Sequence, residues 1–81
     1  MIVEIYVPAL DKEYEFLLDN NAVTSIVTDE ITSVICEKEQ CEIAGESENL
    51  MLFHVPTGKK LIQNLSLYEN GVIAGDRLIL V

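Results

Sequence analysis

Basic residues are scarce in this chain: five lysines and arginines stand against fourteen acids, for a formal net charge of −9. Such a surface repels phosphates and anionic lipid headgroups, so neither nucleic acid nor a membrane surface is an expected partner. A basic protein surface is. Cysteine is limited to Cys36 and Cys41, spaced C-x4-C. A secreted mini-domain stapled by disulfides carries more. Zinc would need further ligands, and only His54 could add nitrogen. One buried thiol and one loop thiol are expected, with a redox or metal switch as the alternative. No apolar run approaches the roughly 20 residues of a membrane span. The start, MIVEIYVPAL, lacks a basic n-region, and Glu4 interrupts its apolar stretch. The expectation is a soluble, cytoplasmic chain with no direct membrane insertion.

A catalytic constellation is also missing. His54 has no nucleophile partner evident in the sequence, and the adjacent acids Asp29 and Glu30 do not face each other on a helix. There is no glycine-rich phosphate loop. No enzymatic activity, cofactor or metal is expected.

What the chain does have is apolar residues, 49% of 81, enough for one small core and a single domain over 1–81. Residues 2–7 alternate, with Val3, Ile5 and Val7 on one face and Glu4 and Tyr6 on the other. Residues 13–18 alternate again, with Tyr14, Phe16 and Leu18 facing one way. Two such runs around a short polar turn predict an antiparallel hairpin. Asp19-Asn20-Asn21 offers helix N-cap residues. Val23, Ile26, Val27, Ile31, Val34 and Ile35 then form an apolar stripe, which predicts a helix over 22–38. Thr24, Ser25, Thr28, Asp29, Glu30, Thr32 and Ser33 are expected on its polar face. Residues 37–49 read as an acidic, irregular connector.

Strands are predicted over 50–55, 59–62 and 77–81, with turns at Pro56-Thr57-Gly58 and Gly75-Asp76. The order is strand, strand, helix, strand, short strand, strand. One helix can cover only one face of such a sheet, which predicts an α+β roll with a single core. The last strand, ending Leu78-Ile79-Leu80-Val81, is too apolar for an edge. A central place beside the first strand is expected, with Leu78 and Leu80 toward the helix and Ile79 and Val81 away from it.

The segment carrying Gly58, Lys59, Leu61, Leu67, Val72 or Ile73, Gly75, Asp76, Leu78 and Leu80 resembles the signature of the ubiquitin-like β-grasp family. The resemblance spans the chain and implies a β-β-α-β-β-β roll with one helix across a mixed sheet. Among bacterial members the chain is similar to the YukD/EsaB-like proteins. That likeness implies a non-conjugated cytoplasmic accessory of a Gram-positive type VII secretion system, working beside an FtsK/SpoIIIE-type ATPase and WXG-type substrates. Conjugated relatives and sulfur carriers act through a Gly-Gly tail. The sequence stops at Val81 without one, so a modifier or sulfur carrier whose tail is absent here is the alternative reading.

The sheet face opposite the helix is the expected protein-binding surface, as the resemblance also implies. Leu52, His54, Lys59, Lys60, Ile79 and Val81 are its candidate residues. They are drawn on the expectation that Met51 and Phe53 point inward. The partner would be a protein, such as the secretion ATPase or another secretion component, and the chain itself a monomer or weak homo-oligomer. Pairing at the 59–62 edge is a second route to partners.

Overall fold

The computed structural model describes residues 1–39 and 50–81. Strand β1 (Ile2–Val7) and strand β2 (Lys12–Leu17) form the antiparallel hairpin. Asp11, in the turn between them, takes a positive φ of 52°, a conformation aspartate tolerates better than most residues. Helix α1 (Thr24–Glu39) follows, and then β3 (Leu52–His54), β4 (Lys59–Lys60) and β5 (Arg77–Leu80). The five-stranded sheet has the order β2-β1-β5-β3-β4. The last strand therefore lies centrally, parallel to β1 and antiparallel to β3. Leu78 and Leu80 are fully enclosed, which accounts for an apolar C-terminal run that an edge strand would have exposed.

The core forms between α1 and one sheet face. Val3, Ile5 and Val7 from β1 meet Leu52, Leu78 and Leu80 from the centre of the sheet, with Val27, Ile31 and Ile35 from the helix. Leu61, Leu67 and Val72 close the end of the core from the irregular segment before β5. Among the described residues no helix is long and apolar enough to cross a membrane.

The helix presents a different face from the one its apolar stripe suggests. Thr24, Thr28 and Thr32 are buried, whereas Ile26 and Val34 remain 55% and 50% exposed. The threonines bear burial because each hydroxyl finds an acceptor on the spot. Thr28 donates to the Thr24 carbonyl at 2.9 Å, Thr32 to the Thr28 carbonyl at 2.8 Å, and Thr24 to the Leu65 carbonyl at 2.7 Å. A buried hydroxyl with a partner loses most of its desolvation cost and leaves its methyl free to pack.

The start of α1 is not capped by the Asp19-Asn20-Asn21 side chains. Carbonyls of Leu65 and Gln63 accept from the amides of Thr24 and Ser25 instead, satisfying groups that a helix leaves open. Asp19 accepts from the Asn21 amide, a local turn outside the helix. At the other end, Glu39 accepts from Lys12 at 2.7 Å and from the Tyr14 hydroxyl at 2.9 Å, tying the last helical turn to β2. The acidic connector falls on 40–49, apart from the helical residues 37–39, and so lies outside the described residues.

Candidate functional site

The sheet face away from α1 carries a row of side chains that crosses every strand. Glu13 pairs with Tyr6, Tyr6 with Ile79, Ile79 with Phe53, and Phe53 with Lys60. The middle of this row is apolar and half-exposed, its two ends oppositely charged. Val55 and Val81 extend the apolar area, at 42% and 43% exposure. Tyr6, Glu13, Val55, Arg77 and Ile79 line a shallow depression. Toward the other end of the sheet, Arg77 bridges to Glu4 at 3.3 Å. Beyond that bridge Ile2 stands opposite Leu17, both exposed. The Tyr6 hydroxyl donates to Asp11 at 2.8 Å, and this bond holds its pKa above the ordinary phenol value.

Two of the expected surface residues are buried instead. Leu52 is fully buried and His54 is 4% exposed, both on the helix side. The register with β5 sets this orientation. Leu52 lies opposite Leu80 and His54 opposite Leu78, so Phe53 must share the open face with Ile79. A histidine can occupy an inward position here because both ring nitrogens have partners. Nε2 lies 2.7 Å from Asp76 Oδ2, and Nδ1 lies 3.0 Å from the Thr57 hydroxyl. Facing a carboxylate, Nε2 carries a proton and donates.

Lys60, Ile79 and Val81 lie on the open face as expected, Ile79 only in part, whereas Lys59, though exposed, pairs with His54 and so falls on the helix side of the sheet. Met51 and Phe53, expected inside, are partly exposed and belong to the open face. Tyr6 and Glu13 are further members of the row whose role sequence reasoning missed, although the alternation of β1 and β2 already set both outward.

No protein-family model matches the chain, and no curated protein matches it. Solved structures do. The EccD5 ubiquitin-like domain from Mycobacterium xenopi is 30% identical, over 99% of this chain and 90% of that one, with a TM-score of 0.77. The chain belongs to the ubiquitin-like β-grasp family. A component of the MycP5-free ESX-5 inner membrane complex is 26% identical at a TM-score of 0.77; the match covers 99% of this chain but only 20% of that longer one. A ubiquitin-like domain from Arabidopsis thaliana matches in fold alone, at 16% identity, a TM-score of 0.74, and 100% and 74% coverage of the two chains.

In this ubiquitin-like domain the paired His54 and Asp76 brace the site from beneath. Asp76 also accepts from the Ile73 amide at 3.0 Å, so one carboxylate joins the turn before β5 to β3. Burial pushes its pKa up, but the bonds from His54 and Ile73 outweigh burial, and the net shift is downward. A lowered carboxylate pKa adds stability that is complete above the ordinary value of about 3.9 and is lost as pH falls through the folded one. Thermal melts should therefore show stability falling below about pH 4. Asp76→Asn should be weaker at neutral pH and should flatten that acid-side fall. An unchanged acid limb in the variant would remove the pair as its cause.

Cys36 is partly buried against the core. Cys41 lies outside the described residues, as does any switch between the two thiols. Among the described residues no cluster of three or more histidine, cysteine or acidic side chains could hold a metal.

Proposed function

We propose that this domain is a non-enzymatic docking module of a type VII secretion system, working on the cytoplasmic side by non-covalent protein binding. The open sheet face, with Phe53 and Ile79 at its centre and Val81 beside them, supports this reading most directly. A half-exposed apolar centre between a lysine and a glutamate is the anatomy of a small interface: an apolar core with a charged rim. The likeness to the EccD5 domain supports the secretion context, and the secretion ATPase or another component of the same apparatus is the partner we assign.

The test is co-purification of secretion components with the domain. Ile79→Asp and Phe53→Asp should each reduce recovery of the partner by roughly 30-fold, the loss associated with a central interface residue. Ile26→Asp, on the exposed side of α1, should not reduce it. Circular dichroism should show all three variants folded. Undiminished recovery by both sheet-face variants would overturn the assignment.

A further inference from the structure

The sheet has two edges, and they are not alike. At the β4 edge only Lys59 and Lys60 pair as a strand. Just beyond them the Asn70 side chain occupies the backbone of Ile62, accepting from its amide at 2.8 Å and donating to its carbonyl at 3.0 Å. An amide side chain thus takes the place of a neighbouring strand at Ile62, so the 59–62 edge expected to pair with partners is occupied at that residue.

Among the described residues the β2 edge is open. Met1 and Leu18 exchange both of their backbone bonds, at 2.7 Å each. In an antiparallel ladder such pairs alternate with pairs that make no mutual bond. The amides and carbonyls of Glu13, Glu15 and Leu17 consequently point away from β1. Among the described residues no strand lies on that side. The side chains of the same three residues sit on the open face, all exposed, with Leu17 at 79%. A ladder unpaired among the described residues, two carboxylates and a leucine therefore lie in one line. On the inner side of the strand, Phe16 and Leu18 are only partly buried against the core.

We propose that β2 accepts an added strand from a protein partner with the pattern apolar-apolar-basic-apolar-basic, read antiparallel to β2. The first residue covers Leu17 and the two basic residues meet Glu15 and Glu13. The intervening apolar residues extend the core over Phe16 and Tyr14. Antiparallel pairing is the more stable arrangement per residue. The acids also say what does not bind. A second copy of this chain, paired in the registers centred on Tyr14 or Glu15, would set Glu13 against Glu15 or Glu15 against itself. Like charges directly opposite are destabilising, so these registers are closed to a second copy and open to a basic strand. This edge shares Glu13 with the Phe53 and Ile79 face but binds through its backbone, and the inference stands without the function proposed above.

The test uses the peptide acetyl-Thr-Ile-Val-Lys-Val-Lys-Thr-amide and a control with both lysines replaced by glutamate, each added to the labelled domain. Amide exchange is followed by NMR. The lysine peptide should slow exchange at Glu13, Glu15 and Leu17 by roughly tenfold or more near saturation. The glutamate peptide should not. The double variant Glu13→Lys with Glu15→Lys should bind the lysine peptide about tenfold more weakly and prefer the glutamate peptide. Three outcomes would overturn the proposal: no protection at millimolar peptide, equal binding by the double variant, or perturbation confined to Phe53 and Ile79. Sedimentation showing a dimer of the unliganded chain paired through β2 would do so as well.

Discussion

Replacing Leu52 with aspartate should unfold the domain, whereas the same replacement at Phe53 should leave it folded. The two positions are adjacent in β3 and face opposite ways. Leu52 is fully enclosed opposite Leu80, packed in the apolar core. A carboxylate there loses the leucine's burial and must either stay ionised without a partner or take up a proton. Either route costs several kcal/mol. A domain of this length has about 4–12 kcal/mol of stability in all. Phe53, on the open face, is only half-buried, so its loss costs about 1–2 kcal/mol of apolar burial. Urea denaturation followed by circular dichroism separates the two. Leu52→Asp should show no cooperative transition, and Phe53→Asp should keep one at a lower midpoint. If Leu52→Asp melted like the unmodified chain, the orientation of β3 derived from its register would be wrong.

That orientation is also where sequence reading reached its limit. In β1 and β2 the alternation of apolar and polar residues sets both faces, and the structure reproduces them residue by residue. In residues 50–55 every position but one is apolar, so alternation carries no direction. The single polar residue then misleads, because a histidine reads as surface until its partners are known. Asp76, which makes His54 affordable inside, lies 22 residues away.

The helix followed the same logic. Threonine reads as polar by composition, yet its hydroxyl can bond to the carbonyl four residues back, so Thr28 and Thr32 serve as core positions. Sequence period located the helix but not its rotation. For the candidate face, Ile79 and Val81 were legible because Leu78 and Leu80 fixed the central strand. Phe53 was not, since its side depended on a register between strands distant in sequence.

Asn70→Ala should be the most damaging substitution outside the core. Its side chain joins three parts of the chain. Oδ1 accepts from the Ile62 amide, and Nδ2 lies 3.0 Å from each of Ile62 O, Ser66 O and the Thr24 hydroxyl oxygen. The last contact reaches the first residue of α1, beside the point where the Leu65 carbonyl caps the helix. Each neutral hydrogen bond contributes about 1 kcal/mol net, and less where water can replace it. The expected loss is therefore about 2–3 kcal/mol, with the Leu61 and Leu67 anchors loosening together. Asn70→Asp should cost at least as much. It keeps the acceptor for Ile62 but turns an oxygen toward three acceptors that need a donor. Denaturation midpoints give the magnitude, and exchange at the Ile62 amide gives the cause, since that proton should lose its protection in Asn70→Ala. A midpoint close to that of the unmodified chain, with Ile62 still protected, would mean that backbone bonds alone hold the 61–72 segment. The cap on α1 would then owe nothing to this side chain.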